Sequence, residues 1–183
     1  MQRRAASFGG GPLYDARMKN KNAEGAQTVE PIDDAEAICA VVNDAAEAYR
    51  GIIPADRWHE PYMPREELLA EIQAGVKFFC IRHGGRIAGV MGLQHVSDVA
   101  LIRHAYTLTS LQHGGLGTQL LDYLKRQTER PLLVGTWKAA TWAVRFYERR
   151  GFHLVSDEEK ARLLRRYWTV PERQIDESVV LRQ

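Results

Sequence analysis

The chain has 183 residues, of which 45% are hydrophobic, 26% charged and 9% aromatic. This suits one domain with its own core and excludes collagen, a long coiled coil and wholesale disorder, and no apolar run approaches the roughly 18–20 residues of a membrane span. The formal charge of +2 is uneven: residues 1–25 carry five basic against two acidic side chains, while the other 158 residues hold 20 and 21, so the domain itself lacks the basic stripe of a nucleic-acid binder.

Residues 1–25 hold Gly9-Gly10-Gly11-Pro12 and no sustained apolar period, and they read as a disordered or non-native tail, with Met18 a natural alternative start. Residues 26–183 read as the folded domain. Thr28-Val29-Glu30 is expected to be a strand closed by Pro31. Asp33 or Asp34 should cap a helix whose apolar positions Ala37, Ile38, Val41, Val42 and Ala45 recur near every 3.6 residues. Gly51 to Tyr62 is loop-like, and Pro64 opens a second helix at its favoured first position. Strands Lys77–Arg82 and Ile87–Val96 flank Gly84-Gly85, a pair able to take the positive φ angles of a tight hairpin.

A further strand spans Val99 to Leu108. Helix Gly115–Arg126 follows, with Leu116, Leu120, Leu121 and Leu124 on its buried face. Leu132-Leu133-Val134 is a wholly apolar strand covered on both faces. Helix Trp142–Arg150 stops at Gly151, after which the chain re-enters the sheet. A helix from Asp157 to Tyr167 and a strand Val179–Leu181 complete the order. The expected class is α/β, a mixed and mostly antiparallel central sheet flanked by helices on both faces. Cys39 and Cys80 cannot make a disulfide scaffold, no CxxC or Cys/His cluster suggests zinc or another metal, and no secretory signal is evident. A reducing cytoplasm is the expected compartment, with no membrane partner; nucleic acid is disfavoured, the basic tail being the one feature that would recruit it.

The most informative stretch is Gln112-His113-Gly114-Gly115-Leu116-Gly117, between a strand and a helix. Three glycines in four positions remove Cβ atoms from the turn and let backbone N–H groups converge at the positive end of a helix dipole, where phosphate binds without a formal cation. A Walker A loop needs Lys-Ser or Lys-Thr after its last glycine, and Thr118-Gln119 stands there instead. A dinucleotide fingerprint needs a third glycine and a place in the first βα unit. A Gly-rich helix start that binds nothing would read the same way.

Gln112, Gly115 and Gly117 resemble the Q-x-x-G-x-G pattern of the GNAT acetyltransferase superfamily, after an Ala105-Tyr106-Thr107-Leu108 strand end. The resemblance implies that acetyl-CoA is the co-substrate. Its pyrophosphate would lie on Gln112, His113, Gly114, Gly115, Leu116, Gly117 and Thr118. Its pantetheine arm would pair with Ala105, Tyr106, Thr107 and Leu108 like an added strand. The stretch Ala143-Val144-Arg145-Phe146-Tyr147-Glu148-Arg149-Arg150-Gly151-Phe152 is similar to the family's second motif, A-x-x-F-Y-E-R-x-G-F. That similarity places Tyr147 on the family's usual general acid, the proton donor to the departing CoA thiolate. Two departures stand out. Thr109 occupies a position where the family often has Pro, and Ala140 one where it often has Asn on the pantetheine region.

The implied function is acetyl-CoA-dependent N-acetyl transfer to a small-molecule or peptide amine by direct transfer, with a homodimer compatible. The alternative is a catalytically inactive GNAT-like module that binds or senses CoA. The acceptor amine must be neutral to attack, so a base is needed. His104 is the leading candidate, with Asp98, His59 and Glu60 behind it. Trp58, His59, Tyr62 and Trp168, with Tyr167, are candidate walls of the acceptor pocket. Arg165-Arg166 would attract an acidic acceptor or the CoA 3′-phosphate.

Overall fold

Among the described residues, seven strands form one open sheet in the order β1-β2-β3-β4-β5-β7-β6. The computed structural model describes residues 27–183, so the expected tail at 1–25 lies outside the described residues. The strands are β1 Val29–Ile32, β2 Lys77–His83, β3 Arg86–Val96, β4 Val99–Thr107, β5 Leu132–Trp137, β6 His153–Leu154 and β7 Ser178–Arg182. The helices are α1 Ala35–Ala46, α2 Arg65–Gln73, α3 Leu116–Lys125, α4 Thr141–Glu148, α5 Asp157–Tyr167 and α6 Glu172–Asp176. Among the described residues no helix is long and apolar enough to cross a membrane.

Every pairing is antiparallel except one. β4 and β5 run parallel, and only over Ala100–Leu132, Leu101–Leu133 and Ile102–Val134. Beyond that point β4 stays on β3 as far as Thr107, and β5 stays on β7 as far as Trp137. The two strands therefore part in the middle of the sheet, and the facing backbone edges go unpaired. The expected mostly antiparallel sheet with helices on both faces is what the chain adopts.

Side-chain alternation divides the core. Phe79 and Ile81 of β2, Ala100 and Ile102 of β4, and Leu132 and Val134 of β5 meet Leu116, Leu120, Leu121 and Leu124 of α3 and Tyr147 of α4. Phe78 and Cys80 point the other way, into α1 and α2, as Leu101 and Leu133 do toward α5. Burying a leucine such as Leu120 or Leu124 completely contributes roughly 1.5–3 kcal/mol, so α3 is held mainly by this stripe.

Local signals set the ends. Asp34 caps α1 by accepting from the Ala37 N–H at 3.1 Å, and Ser156 caps α5 through Glu159 N–H at 3.2 Å. Gly84 and Gly85 take φ of 57° and 78°, completing the β2–β3 hairpin as expected. Three expectations need correction. Pro31 lies within β1 rather than closing it, because β1 is an edge strand paired on one side only, where a missing N–H costs no ladder bond. Pro64 is the N-cap of α2, not its first helical residue. The strand expected at Leu132–Val134 continues to Trp137, because β7 pairs with it throughout.

Candidate active site

The parting of β4 and β5 opens a cavity of about 730 Å³. Its walls come from both prongs, from the β4–α3 turn, from α4, and from the segments after α1 and α5.

At one end is the glycine turn. His113 and Gly115 have φ of 67° and 80°, and Gly115 is the N-cap of α3, with no side chain capping the helix. The Gly115 carbonyl accepts from Thr118 and Gln119, which leaves the N–H groups of Leu116 and Gly117 facing outward at the positive helix end. Backbone N–H groups at such a helix end have the geometry of an anion cradle. Arg150 stands beside it: its Nε donates to Thr118 Oγ1 at 3.1 Å, its Nη1 to the Phe146 carbonyl at 2.8 Å, and its guanidinium lies 3.9 Å over the Phe146 ring. The turn is anchored from α1, where Asp44 Oδ2 accepts from the Thr109 N–H at 2.7 Å. Proline at 109 has no N–H to make that bond.

At the fork itself, Tyr147 of α4 is buried and edge-on to Phe146 and Phe152, with ring centroids 5.0 and 5.4 Å away. Burial raises its phenol pKa, and the neighbouring Tyr49 adds to the rise against the opposing charge of Arg150. Three more phenols gather here from other elements. Tyr49, after α1, is edge-on to Tyr106 at 6.2 Å and to Trp142 at 5.3 Å, and burial pushes its pKa up to about 12. Tyr62 is edge-on to Tyr106 at 6.4 Å, and burial raises both of their phenols. All four are therefore neutral, hydrogen-bond-competent hydroxyls at pH 7.

His104 lies in a bulge of β4, with φ 47°, where the register against β3 slips between Val90 and Gly92. Its imidazole stacks on Phe78, and its Nε2 stands 3.5 Å from Glu71 Oε2 of α2. Neither atom has a closer partner. Glu71 Oε1 accepts from Arg103 at 2.5 Å, and Arg103 also donates to Gln94 Oε1 at 2.8 Å. Burial alone would raise the Glu71 carboxyl, but the adjacent His104 imidazole and the Arg103 guanidinium outweigh it and hold its pKa below the ordinary range.

Of the residues singled out from sequence, Ala105, Tyr106, Thr107, Gln112, His113, Gly115, Leu116, Gly117 and Thr118 line this cavity, as do His104, Tyr62, Tyr147 and Trp168. Leu108 and Gly114 belong to the same turn without lining it. Trp58 and His59 do not reach the wall. Trp58 is held between Arg50, 4.7 Å over its ring, and Tyr62, while His59 stacks behind Tyr62 and bonds the Pro61 carbonyl.

The remaining candidates are engaged elsewhere. Glu60 bonds Arg50, and Asp98, in the β3–β4 turn, accepts from Tyr167 Oη at 2.6 Å and from Arg166. Arg165 pairs with Glu172. Tyr167, Arg165, Arg166 and Asp98 thus belong to the α5 surface and not to the cavity. Ala140 is wholly buried at the start of α4, its N–H donating to the Trp137 carbonyl. Sequence reasoning passed over Glu71, Tyr49 and Trp137. The only hint for them was their residue type, since each is brought in by a different element.

A family model described as an acetyltransferase (GNAT) domain matches residues 35–165. No curated protein matches the chain. Among solved structures, a GNAT-family acetyltransferase from Staphylococcus aureus Mu50 is similar, with a TM-score of 0.65 at 14% identity over 86% of this chain and 98% of that one. The PaiA N-acetyltransferase of Thermoplasma acidophilum, solved in complex with coenzyme A, gives 0.64 at 17% identity over 86% and 98%. The ribosomal-protein-S18-alanine N-acetyltransferase of Escherichia coli gives 0.58 at 16% identity over 86% and 92%. At such identities the likeness is one of fold.

Proposed function

Since the chain belongs to the GNAT acetyltransferase family, we propose that it moves an acetyl group from acetyl-CoA to an amine by direct attack with both substrates bound. The observation that carries this reading is that one cavity joins the backbone anion cradle at Leu116 and Gly117, the unpaired edge of β4 and the Tyr147 phenol.

Each part has a physical task. The cradle takes the diphosphate of the co-substrate, and Arg150 adds a nearby positive charge. The free edge from Ala105 to Thr107 pairs with the amide-bearing arm, which points the thioester into the fork. The amine nitrogen bonds the acetyl carbon as the carbon–sulfur bond breaks; the nitrogen's proton passes to His104, directly or through water, and Tyr147 gives one to the sulfur. A backbone N–H of Tyr106 or Thr107 stabilises the charge that develops on the acetyl oxygen. Tyr147 suits its task because a phenol is protonated at pH 7 and so has a proton to give the departing thiolate. The free buried thiols of Cys39 and Cys80 support a reducing, cytoplasmic setting.

The decisive experiment pairs a thermal shift with CoA and a thiol-release assay over a panel of amines. Stabilisation together with amine-dependent release of CoA supports the enzyme. The buried Ala140, which offers no polar side chain to the pantetheine arm, favours a second reading, a module that binds or senses CoA without turnover. Stabilisation with no release from any amine selects that one.

A further inference from the structure

The cavity is not chemically uniform. Besides the glycine turn and Tyr147, its lining holds an aromatic group, Tyr49, Tyr62, Tyr106, Trp137, Trp142 and Trp168. Within it Tyr49 is edge-on to Tyr106 and Trp142, and Tyr62 to Tyr106; this part of the cavity is the aromatic chamber. Trp168, from the segment after α5, lies against Gly135 of β5, where a Cβ would meet its ring at 3.6 Å. Tyr62 has its ring centroid 6.4 Å from that of Tyr106 and stacks beside Trp58 and His59 on its other side. Trp142, also of the lining, is 43% exposed among the described residues and edge-on to Tyr49.

Among the described residues no Asp or Glu side chain lines this cavity. Glu71, the carboxylate behind His104, is already committed to Arg103 and His104. Arg103, Arg145, Arg149 and Arg150 of the lining are all positive.

We propose that the acceptor is a monoamine carried on a flat aromatic body, an aryl or arylalkyl amine; this rests on the acetyl-transfer reading above. Three effects select it. Offset and edge-to-face packing on Tyr and Trp rings rewards a flat aromatic body beyond its buried area. A single ammonium entering the chamber is stabilised over those ring faces, and loss of water then favours the neutral amine that attack requires. A second cationic group finds no carboxylate and meets arginines instead, so polyamines and lysine-rich peptides are rejected by an unpaired buried charge.

The test uses the full chain with acetyl-CoA and three acceptors: 2-phenylethylamine, n-butylamine and spermidine. We expect kcat/KM for 2-phenylethylamine to exceed that of either other amine by about tenfold or more. Trp168→Leu should cut this preference to within about threefold while leaving the CoA-induced rise in Tm unchanged. Equal or better use of spermidine or n-butylamine overturns the proposal, whatever CoA does. In parallel, 2-phenylethylamine is titrated against indole fluorescence without co-substrate, and we expect saturable quenching that spermidine does not reproduce. Absence of a CoA-induced shift with quenching intact would defeat the acetyl-transfer reading but leave an aromatic-amine chamber. Absence of quenching with the CoA shift intact would defeat the chamber alone. Should Trp168→Leu fail to fold, the wild-type panel and the titration decide.

Discussion

His104 Nε2 stands 3.5 Å from Glu71 Oε2, while the other oxygen of the same carboxylate takes Arg103 at 2.5 Å. One half-buried carboxylate on α2 therefore touches two neighbouring residues of β4, one of them the candidate base.

Glu71→Gln keeps the shape and removes the charge. We expect kcat to fall with KM for acetyl-CoA within about twofold, and stability to drop by roughly 1–3 kcal/mol because Arg103 loses its partner. The pH dependence follows from the sign of the shift. The Glu71 pKa is depressed in the fold, so its contribution is present above the ordinary glutamate value of about 4.3 and is lost as pH falls below it. Denaturant titrations across that range should show this acid loss in the parent and a shallower one in the variant.

Tyr147→Phe removes one oxygen from a packed ring. Turnover should fall by at least about tenfold while affinity for CoA is retained, since the cradle is backbone. Steady-state kinetics and calorimetry with CoA check the two halves separately, and unchanged turnover would remove Tyr147 from the role of acid.

Gly115→Ala places a Cβ on a residue at φ 80° that has open space around it. The cost is therefore conformational rather than steric, about 1–2 kcal/mol. Relief of that strain tilts the first turn of α3, so CoA affinity should fall together with Tm. A variant that loses Tm and keeps its full affinity would show that the cradle does not depend on this angle.

Alkaline behaviour reports the phenol cluster. Tyr49, Tyr62, Tyr106 and Tyr147 all have raised pKa values, Tyr49 to about 12. Unfolded tyrosines ionise near pH 10, so the stability these groups contribute is complete below about pH 10 and is lost as pH climbs toward 12. The share of phenolate absorbance that belongs to these four of the seven tyrosines should rise only as the protein unfolds, and Tyr49→Phe should flatten the alkaline limb of the stability curve.

The frame of this protein was legible wherever a local rule decides. Gly84-Gly85 and the Leu116–Leu124 stripe act through backbone angles and helical period, and both took the expected form. The glycine turn was found for the same reason. Glu71 was not, because it sits on a helix whose sequence shows only its apolar residues, and its importance arises from a bulge in a distant strand. Trp58 and Trp168 looked alike in sequence; which of them reaches the cavity depends on Arg50 occupying the face of one ring and Gly135 making room for the other. Such selection lies in tertiary contacts, outside the reach of spacing.

The parted strands also divide responsibility between kinds of atoms. On the acetyl-transfer proposal the donor is held mostly by main chain at the glycine turn, whereas Tyr49, Tyr62 and Trp168 hang from connecting segments outside the sheet. Selectivity can accordingly be re-keyed by grafting residues 47–63 or 168–171 from another scaffold, leaving the chemistry beneath untouched.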